Sequence, residues 1–130
     1  MAKHPPVRIE ALRSSLFHYR ATVVAVHDGD TCTLDIDLGM STWVRGEKVR
    51  LARIDAPELG GRTAARGRRA RDLLRSIVLE KPVLLETIKD RREKYGRWLG
   101  ELWLPQDGAR ALNVNDALVE AKVARYAHYG

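Results

Sequence analysis

Residues 16–38, with the sequence LFHYRATVVAVHDGDTCTLDIDL, contain the pattern that decides the fold. Residues 16–26 are rich in β-forming side chains, and Asp28-Gly29 then introduces a dipeptide that is common in hairpin turns. Beyond the turn, apolar and polar side chains alternate, which is typical of a strand with one buried face. The apolar positions are Cys32, Leu34, Ile36 and Leu38. These features predict an antiparallel β-hairpin.

Three more strands are predicted after the hairpin. The first, at 48–54, follows a loop that contains Gly39 and Gly46, and it stops before an Asp-Ala-Pro sequence because proline cannot donate a ladder hydrogen bond. The other two are expected at 82–87 and 98–104, where the polar run KDRREKYG separates them.

Two helices are predicted as well. Between residues 63 and 79 the apolar positions follow the i, i+3, i+4, i+7 spacing of an amphipathic helix. These positions are Ala70, Leu73, Leu74, Ile77 and Val78. A shorter helix is expected at 114–120, with Asn113 as its N-cap.

The order of these elements predicts an α+β fold. Five short strands, an amphipathic helix inserted after strand three and a short C-terminal helix fit a five-stranded OB-fold β-barrel. A parallel α/β sheet would need a helix between most strands. We expect residues 1–15, which include two consecutive prolines, to form a peripheral segment and residues 16–130 to form a single domain.

The charge of the chain favours an anionic partner. Its 130 residues include 23 Lys and Arg against 17 Asp and Glu, which gives a net charge of +6. Such a surface is typical of proteins that bind DNA or RNA. Aromatic residues make up only 6% of the chain, so contacts to phosphates are expected to dominate over base stacking.

Several classes of protein are disfavoured by the sequence. Cys32 is the only cysteine, which excludes an intrachain disulfide and a cysteine-based zinc site. No stretch resembles a signal peptide or a membrane span, so no membrane association is expected, and the compartment stays open. Phosphate-loop, dinucleotide-binding, zinc-protease and serine-hydrolase motifs are missing.

Carboxylates at two strand ends form a candidate metal site. Asp28 and Asp30 lie in the hairpin turn, and Asp55 and Glu58 follow the third strand. Two strand ends can converge on one cation, and these oxygen ligands suit Ca²⁺ or Mg²⁺. The alternative is that Asp55 and Glu58 form solvated salt bridges with nearby arginines. The candidate partners are Arg50, Arg53 and Arg62.

Three blocks of sequence together resemble the thermonuclease (staphylococcal nuclease) family. They are DGDT at 28–31, VRLARIDAPE at 49–58 and KYGR at 94–97, in the order in which the family has them. The resemblance extends from about Leu16 to the C-terminus. It implies an OB-fold enzyme that uses Ca²⁺ to hydrolyse phosphodiester bonds in DNA and RNA, leaving 3′-phosphate ends. The alternative is a non-catalytic nucleic-acid-binding OB module.

The resemblance also implies a role for each matched residue. Glu58 corresponds to the general base for the attacking water, and Arg50 and Arg97 correspond to the arginines that hold the scissile phosphate. Arginine suits this task because its planar fork donates two parallel hydrogen bonds and stays protonated. The implied metal ligands are the carboxylates of Asp30 and Asp55 and the backbone carbonyl of Ala56, with Asp28 close by.

Further residues are candidates for substrate binding. The expected nucleic-acid contacts are Arg62, Arg66, Lys94, Tyr95 and His128. His128 occupies the position at which the family resemblance implies base stacking. Arg62 and Arg66 belong to an arginine cluster whose other members are Arg68, Arg69 and Arg71. That cluster either follows the phosphate backbone or forms the solvent face of the amphipathic helix. We expect the chain to act as a monomer.

One geometric condition follows from the spacing of Arg50 and Asp55. Residues five apart point to opposite faces of a regular strand. The third strand must therefore bend or end near Asp55 if both side chains are to serve one site.

Overall fold

The computed structural model describes residues 4–127, and residues 89–92 by their backbone alone. Eight strands and three helices follow one another along this range. In chain order they are α1 (Ile9–Arg13), β1 (His18–Asp28), β2 (Thr31–Gly39), β3 (Thr42–Leu51), β4 (Ile54–Asp55), a 3₁₀ turn (Gly61–Thr63), α2 (Ala64–Val78), β5 (Pro82–Arg92), β6 (Trp98–Gln106), β7 (Arg110–Asn113), α3 (Val114–Glu120) and β8 (Arg125–Tyr126).

Five of the strands close into a barrel. β1 pairs antiparallel with β2 and with β5, β2 pairs with β3, and β5 pairs with β6. The barrel closes where β3 and β6 run parallel, with Arg50 opposite Leu99. β7 extends the sheet beyond β6, and β4 forms a separate ribbon with β8. The mixed barrel with its helices confirms the predicted α+β OB-fold class.

The barrel interior follows the alternation of the sequence. Cys32, Leu34 and Ile36 of β2 are buried, and the α2 side chains Leu74 and Val78 pack into the same core. The prediction of a buried Leu38 is wrong, because that side chain is 46% exposed at the end of β2 next to the turn into β3. Helix α2 lies between β4 and β5, where the amphipathic pattern predicts it.

The strands differ from the predicted ones mainly in their lengths. The loop expected before the third strand is largely strand, since only a short turn precedes Thr42. Gly46, with φ of +68°, lies where the β2–β3 register shifts, and this bulge interrupts the apolar alternation. β5 also continues into the polar run that the sequence assigns to a loop, and β7 was not predicted.

One asparagine caps the C-terminal helix, and another fixes it to the barrel. The side chain of Asn113 accepts a hydrogen bond from the Asp116 amide at 2.8 Å, as expected of an N-cap. The buried Asn115 accepts from the Leu102 amide and donates to the carbonyl oxygens of Ala52 and Gly100. These bonds tie α3 to the chain reversal that follows β3.

The N-terminal part of the described chain lies outside the core. Helix α1 contains no buried residue, and the apolar side chains around it are exposed. Among residues 4–127, none of the helices combines the length and the apolar composition needed to cross a membrane.

Candidate active site

The turn between β1 and β2 holds Asp28 and Asp30 in a fixed geometry. The Asp30 amide donates to Oδ1 of Asp28 at 3.0 Å, and Oδ2 of Asp30 accepts from the Ala56 amide at 2.8 Å. Gly29 packs so closely that a Cβ added to it would lie 2.6 Å from the Cβ of Ala70 and 2.7 Å from that of Ala56. Only glycine therefore lets α2 and residue 56 pack against this turn.

Arg50 joins the two strand ends. Its side chain is only 8% exposed, and Nη1 donates to the carbonyl oxygens of Leu51 and Ile54 at 2.9 and 3.1 Å. Its Nη2 lies 3.2 Å from Oδ2 of Asp30 and 3.3 Å from Oδ1 of Asp55. One nitrogen thus contacts a carboxylate from each strand end, which shows that the two ends converge.

A tight reversal at Arg53 makes this convergence possible. β3 stops at Leu51, the backbone reverses at Arg53, whose φ is +69°, and Asp55 lies in β4. The third strand therefore ends before Asp55, as the spacing of Arg50 and Asp55 requires. The guanidinium of Arg53 donates to both carboxylate oxygens of the buried Glu101 at 2.7 Å and contacts Asp116 at 2.9 Å. These ion pairs hold the reversal in place.

Arg97 approaches the same turn from the connection between β5 and β6. Its Nε and Nη2 donate to the two carboxylate oxygens of Glu93 at 2.8 and 2.9 Å, and Nη1 donates to Oγ1 of Thr31 at 3.3 Å. The hydrogen bond from Arg97 lowers the pKa of Glu93 to about 2. Glu93 therefore stays charged and orients Arg97 toward the Asp28–Thr31 turn.

Glu58 lies at the open edge of this arrangement. Its backbone is fixed, because its carbonyl oxygen accepts from Oγ1 of Thr63 at 2.8 Å and is covered by Gly67 of α2. Its side chain is exposed, and within the part of the chain that the structure describes it has no hydrogen-bond or ion-pair partner. A carboxylate held in this way is available to accept a proton from water.

These side chains surround one open cavity of about 730 Å³, which we call the active-site cavity. It brings together eight of the residues predicted from the sequence, from four separate segments of the chain. The predicted residues that line it are Asp28, Asp30, Arg50, Asp55, Ala56, Glu58, Tyr95 and Arg97. Both cationic and anionic groups therefore face the same space.

The remaining predicted contacts lie elsewhere. Arg62 is exposed in the 3₁₀ turn and lines neither the active-site cavity nor the cavity that lies beside it. The ammonium of Lys94 lies 5.0 Å from the ring centre of Tyr95, while Arg66 lines a second, adjacent cavity. His128 falls outside the described residues, so its stacking role stays a prediction.

Comparison with known proteins identifies the family. The family described as Staphylococcal nuclease homologue matches residues 48–130, which is more than half of the chain. The chain belongs to the staphylococcal nuclease family. The match includes the strand end around Asp55 and the turn that carries Arg97, and membership confirms the resemblance found in the sequence.

Three relatives of this nuclease-family chain differ in their names. Protein ParB of Escherichia coli is 37% identical over 109 residues, covering 81% of this chain and 55% of the relative. An uncharacterized endonuclease of Escherichia coli O157:H7 is 37% identical over 102 residues, covering 78% and 57%. Micrococcal nuclease of Shigella flexneri is 33% identical over 117 residues, covering 86% and 61%. The chain therefore matches less than two thirds of the length of each.

Membership in the staphylococcal nuclease family implies a divalent cation, and the oxygen donors at the cavity fit one. Burial raises the pKa of Asp30, and the adjacent Asp28 carboxylate raises it further, so a cation here would relieve an unfavourable concentration of negative charge. No three His, Cys, Asp or Glu side chains in the described part of the chain form a complete cage. Water and substrate oxygens would complete the coordination by Asp30 and Asp55.

Sequence reasoning missed three residues that this family member uses to build its site. Lys48 lines the active-site cavity, Glu93 orients Arg97, and Arg125 contacts Oδ2 of Asp55 at 3.4 Å. The opposite charges of Glu93 and Arg97 were a visible signal, because residues on the two sides of a tight turn face each other and opposite charges in such cross-strand pairs attract. The contact of Arg125 with Asp55 had no such signal, since it arises from the pairing of β4 with β8.

Of the salt bridges weighed for Asp55, the one with Arg50 forms, whereas Arg53 pairs with Glu101 and Asp116.

Proposed function

We propose that the chain is a Ca²⁺-dependent endonuclease that hydrolyses phosphodiester bonds in DNA, RNA or both and leaves 3′-phosphate ends. The observation that carries this proposal is the contact of one Arg50 nitrogen with both Asp30 and Asp55, in a cavity that Glu58 and Arg97 also line. Membership in the staphylococcal nuclease family and two relatives with nuclease names support it.

The two arginines provide positive charge for a bound phosphodiester. Glu93 occupies Nε and one N–H of Nη2 in Arg97, and Thr31 accepts one N–H of Nη1. One N–H on each terminal nitrogen of this cavity-lining side chain is then left for a phosphate oxygen. Nη1 of Arg50 already donates to two carbonyl oxygens. Its Nη2 is therefore the group that would donate to phosphate once a cation binds the carboxylates of Asp30 and Asp55. Buried guanidinium groups of this kind stabilise the charge that develops on phosphate oxygens.

Glu58 is the proposed base for the reaction. Its carboxylate takes a proton from a water molecule as the water oxygen attacks phosphorus, and the bond from phosphorus to the 5′ oxygen breaks. Arg50 and Arg97 donate hydrogen bonds to the phosphate oxygens during this step, and the departing 5′ oxygen takes a proton from solvent. The bound Ca²⁺ would supply additional positive charge against the phosphate. The products are a 3′-phosphate and a 5′-hydroxyl.

The decisive experiment measures cleavage of circular and end-labelled DNA and of labelled RNA, in Ca²⁺ and in excess chelator. We expect internal cuts in Ca²⁺, little cleavage in chelator, and DNA products whose new 3′ ends a polymerase can extend only after treatment with a 3′-phosphatase. Full activity in chelator would contradict the proposed metal dependence. Tight binding without cleavage under all conditions would favour the non-catalytic binding module instead.

A further inference from the structure

A second cavity, of about 480 Å³, lies next to the active-site cavity, and we call it the basic cavity. Residues 55–58 line both cavities, so the two are direct neighbours. Four cationic side chains line the basic cavity, against the two carboxylates of Asp55 and Glu58. The cations are Arg66, Arg69, Lys122 and Arg125.

These cations come from different elements and converge on one space. Arg66 and Arg69 are three residues apart and therefore share a face of α2, whereas Lys122 and Arg125 follow α3. Within the part of the chain that the structure describes, Arg66, Arg69 and Lys122 have no carboxylate partner. Like charges directed at one cavity without partners indicate a site for an anion.

Other arginines of α2 are engaged differently. Arg71 contacts Asp72 at 3.1 Å, and Arg75 donates to the carbonyl oxygen of Val26 at 3.2 Å. Arg68 is exposed and lines neither cavity. The arginine cluster thus divides into residues that face the basic cavity and residues that do not, so it is more than a uniformly solvated helix face.

Asp55 connects the two cavities through its two carboxylate oxygens. Oδ1 contacts Nη2 of Arg50 in the active-site cavity at 3.3 Å, and Oδ2 contacts Nη2 of Arg125 in the basic cavity at 3.4 Å. The pairing of β4 with β8 places Arg125 directly opposite Asp55. An anion in the basic cavity would therefore lie close to a phosphate held at Arg50.

We propose that the basic cavity binds a backbone phosphate of the substrate strand next to the scissile phosphate. This rests on the proposed function, since it assumes that the active-site cavity holds a nucleic acid strand. Arg66, Arg69 and Lys122 donate to the phosphate oxygens, and Arg125 links this position to Asp55. The site would favour strands over nucleotides with a single phosphate, because one phosphate can occupy only one of the two cavities.

The test compares the salt dependence of binding for labelled 12-nucleotide DNA and RNA strands, measured in chelator with strand integrity checked on a gel. Losing one phosphate contact lowers the slope of log K against log salt by about 0.7 and weakens binding roughly fivefold at 0.1 M salt. We expect this loss for Arg69→Gln and for Lys122→Gln with both polymers. Arg68→Gln, the same change one residue away, should leave the slope unchanged.

Three results would overturn the phosphate site. They are equal losses of binding in Arg69→Gln and Arg68→Gln, no loss of binding in either variant, or a loss confined to one polymer. Circular dichroism melting of each variant shows that the fold is retained. If the parent binds with the expected slope but does not cleave in Ca²⁺, the proposed function fails while the phosphate site stands.

Discussion

Glu93 binds Arg97 through two parallel hydrogen bonds of 2.8 and 2.9 Å across the five-residue turn 93–97. The turn is closed by a hydrogen bond from the Glu93 amide to the Arg97 carbonyl oxygen at 2.7 Å, and Gly96 supplies the positive φ of +82° that it requires. The position of a proposed catalytic arginine thus depends on a carboxylate that never needs to touch the substrate.

The first prediction concerns the pH dependence of stability. The pKa of Glu93 falls from an ordinary value of 4.5 to about 2 on folding, mainly through the hydrogen bond from Arg97. Its stabilising contribution is therefore complete above pH 4.5 and is lost as the pH falls toward 2. Glu93→Gln should lower the free energy of unfolding at pH 7 and reduce its decline between pH 4.5 and 2. Urea unfolding at several pH values measures this, and parallel curves for both proteins would contradict it.

A second prediction tests Glu58 as the base. Glu58→Gln should lower single-turnover cleavage in saturating Ca²⁺ by at least ~10²-fold, because the amide keeps the shape of the side chain but cannot accept the proton. Glu120→Gln, at an exposed carboxylate of α3, is the matched control and should cleave like the parent. Cleavage by Glu58→Gln within threefold of the parent would show that another group activates the water.

The third prediction separates the fork of each arginine from its charge. Arg50→Lys and Arg97→Lys should each reduce turnover by about 10²-fold or more, since lysine keeps the charge but loses the planar pair of donors. Arg45→Lys removes a guanidinium from an exposed pair with Asp35 and should change cleavage little. Single-turnover rates and circular dichroism together distinguish lost chemistry from lost structure, and full activity in both lysine variants would refute the assignment.

Metal binding is the subject of the fourth prediction. Asp30→Ala and Asp55→Ala should each raise the Ca²⁺ concentration needed for half-maximal cleavage by tenfold or more, because a site with few protein ligands loses a charged oxygen. Isothermal calorimetry with Ca²⁺ provides a measure that is independent of activity. The control is Asp37→Ala, because Asp37 lies on β2, the strand that follows the Asp28–Asp30 turn, but does not line the active-site cavity. An unchanged Ca²⁺ requirement in both site variants would exclude these carboxylates as ligands.

The fifth prediction addresses packing beneath the site. Gly29→Ala should destabilise the fold by about 1–3 kcal/mol, because the new methyl group would overlap the side chains of Ala56 and Ala70. Gly60→Ala places a Cβ in open space at a negative φ of −110°, so it should have little effect. Thermal unfolding of the two variants checks the contrast, and equal stabilities would mean that the turn can move away from α2.

The sequence predicted the elements whose local signals agree with their final environment. The hairpin, the amphipathic helix after the third strand and the Asn113 cap each depend on neighbouring residues, so spacing and propensity were sufficient. The candidate site residues were named from family motifs, and most of them line one cavity because those motifs lie at strand ends. The full length of β3 escaped prediction, since a bulge at Gly46 interrupts the alternation on which strand prediction depends. β7 escaped prediction because its four residues are too few to show an alternating pattern.

The sequence by itself determined the chemical groups, and the tertiary structure decided which of them meet. Alternation alone places Arg50 and Asp55 on opposite faces, and only the reversal at Arg53, held by ion pairs to Glu101 and Asp116, brings them together. The partners of that reversal lie 48 and 63 residues further along the chain. Contacts over such distances depend on the closure of the barrel and the docking of α3, which no local pattern of side chains encodes.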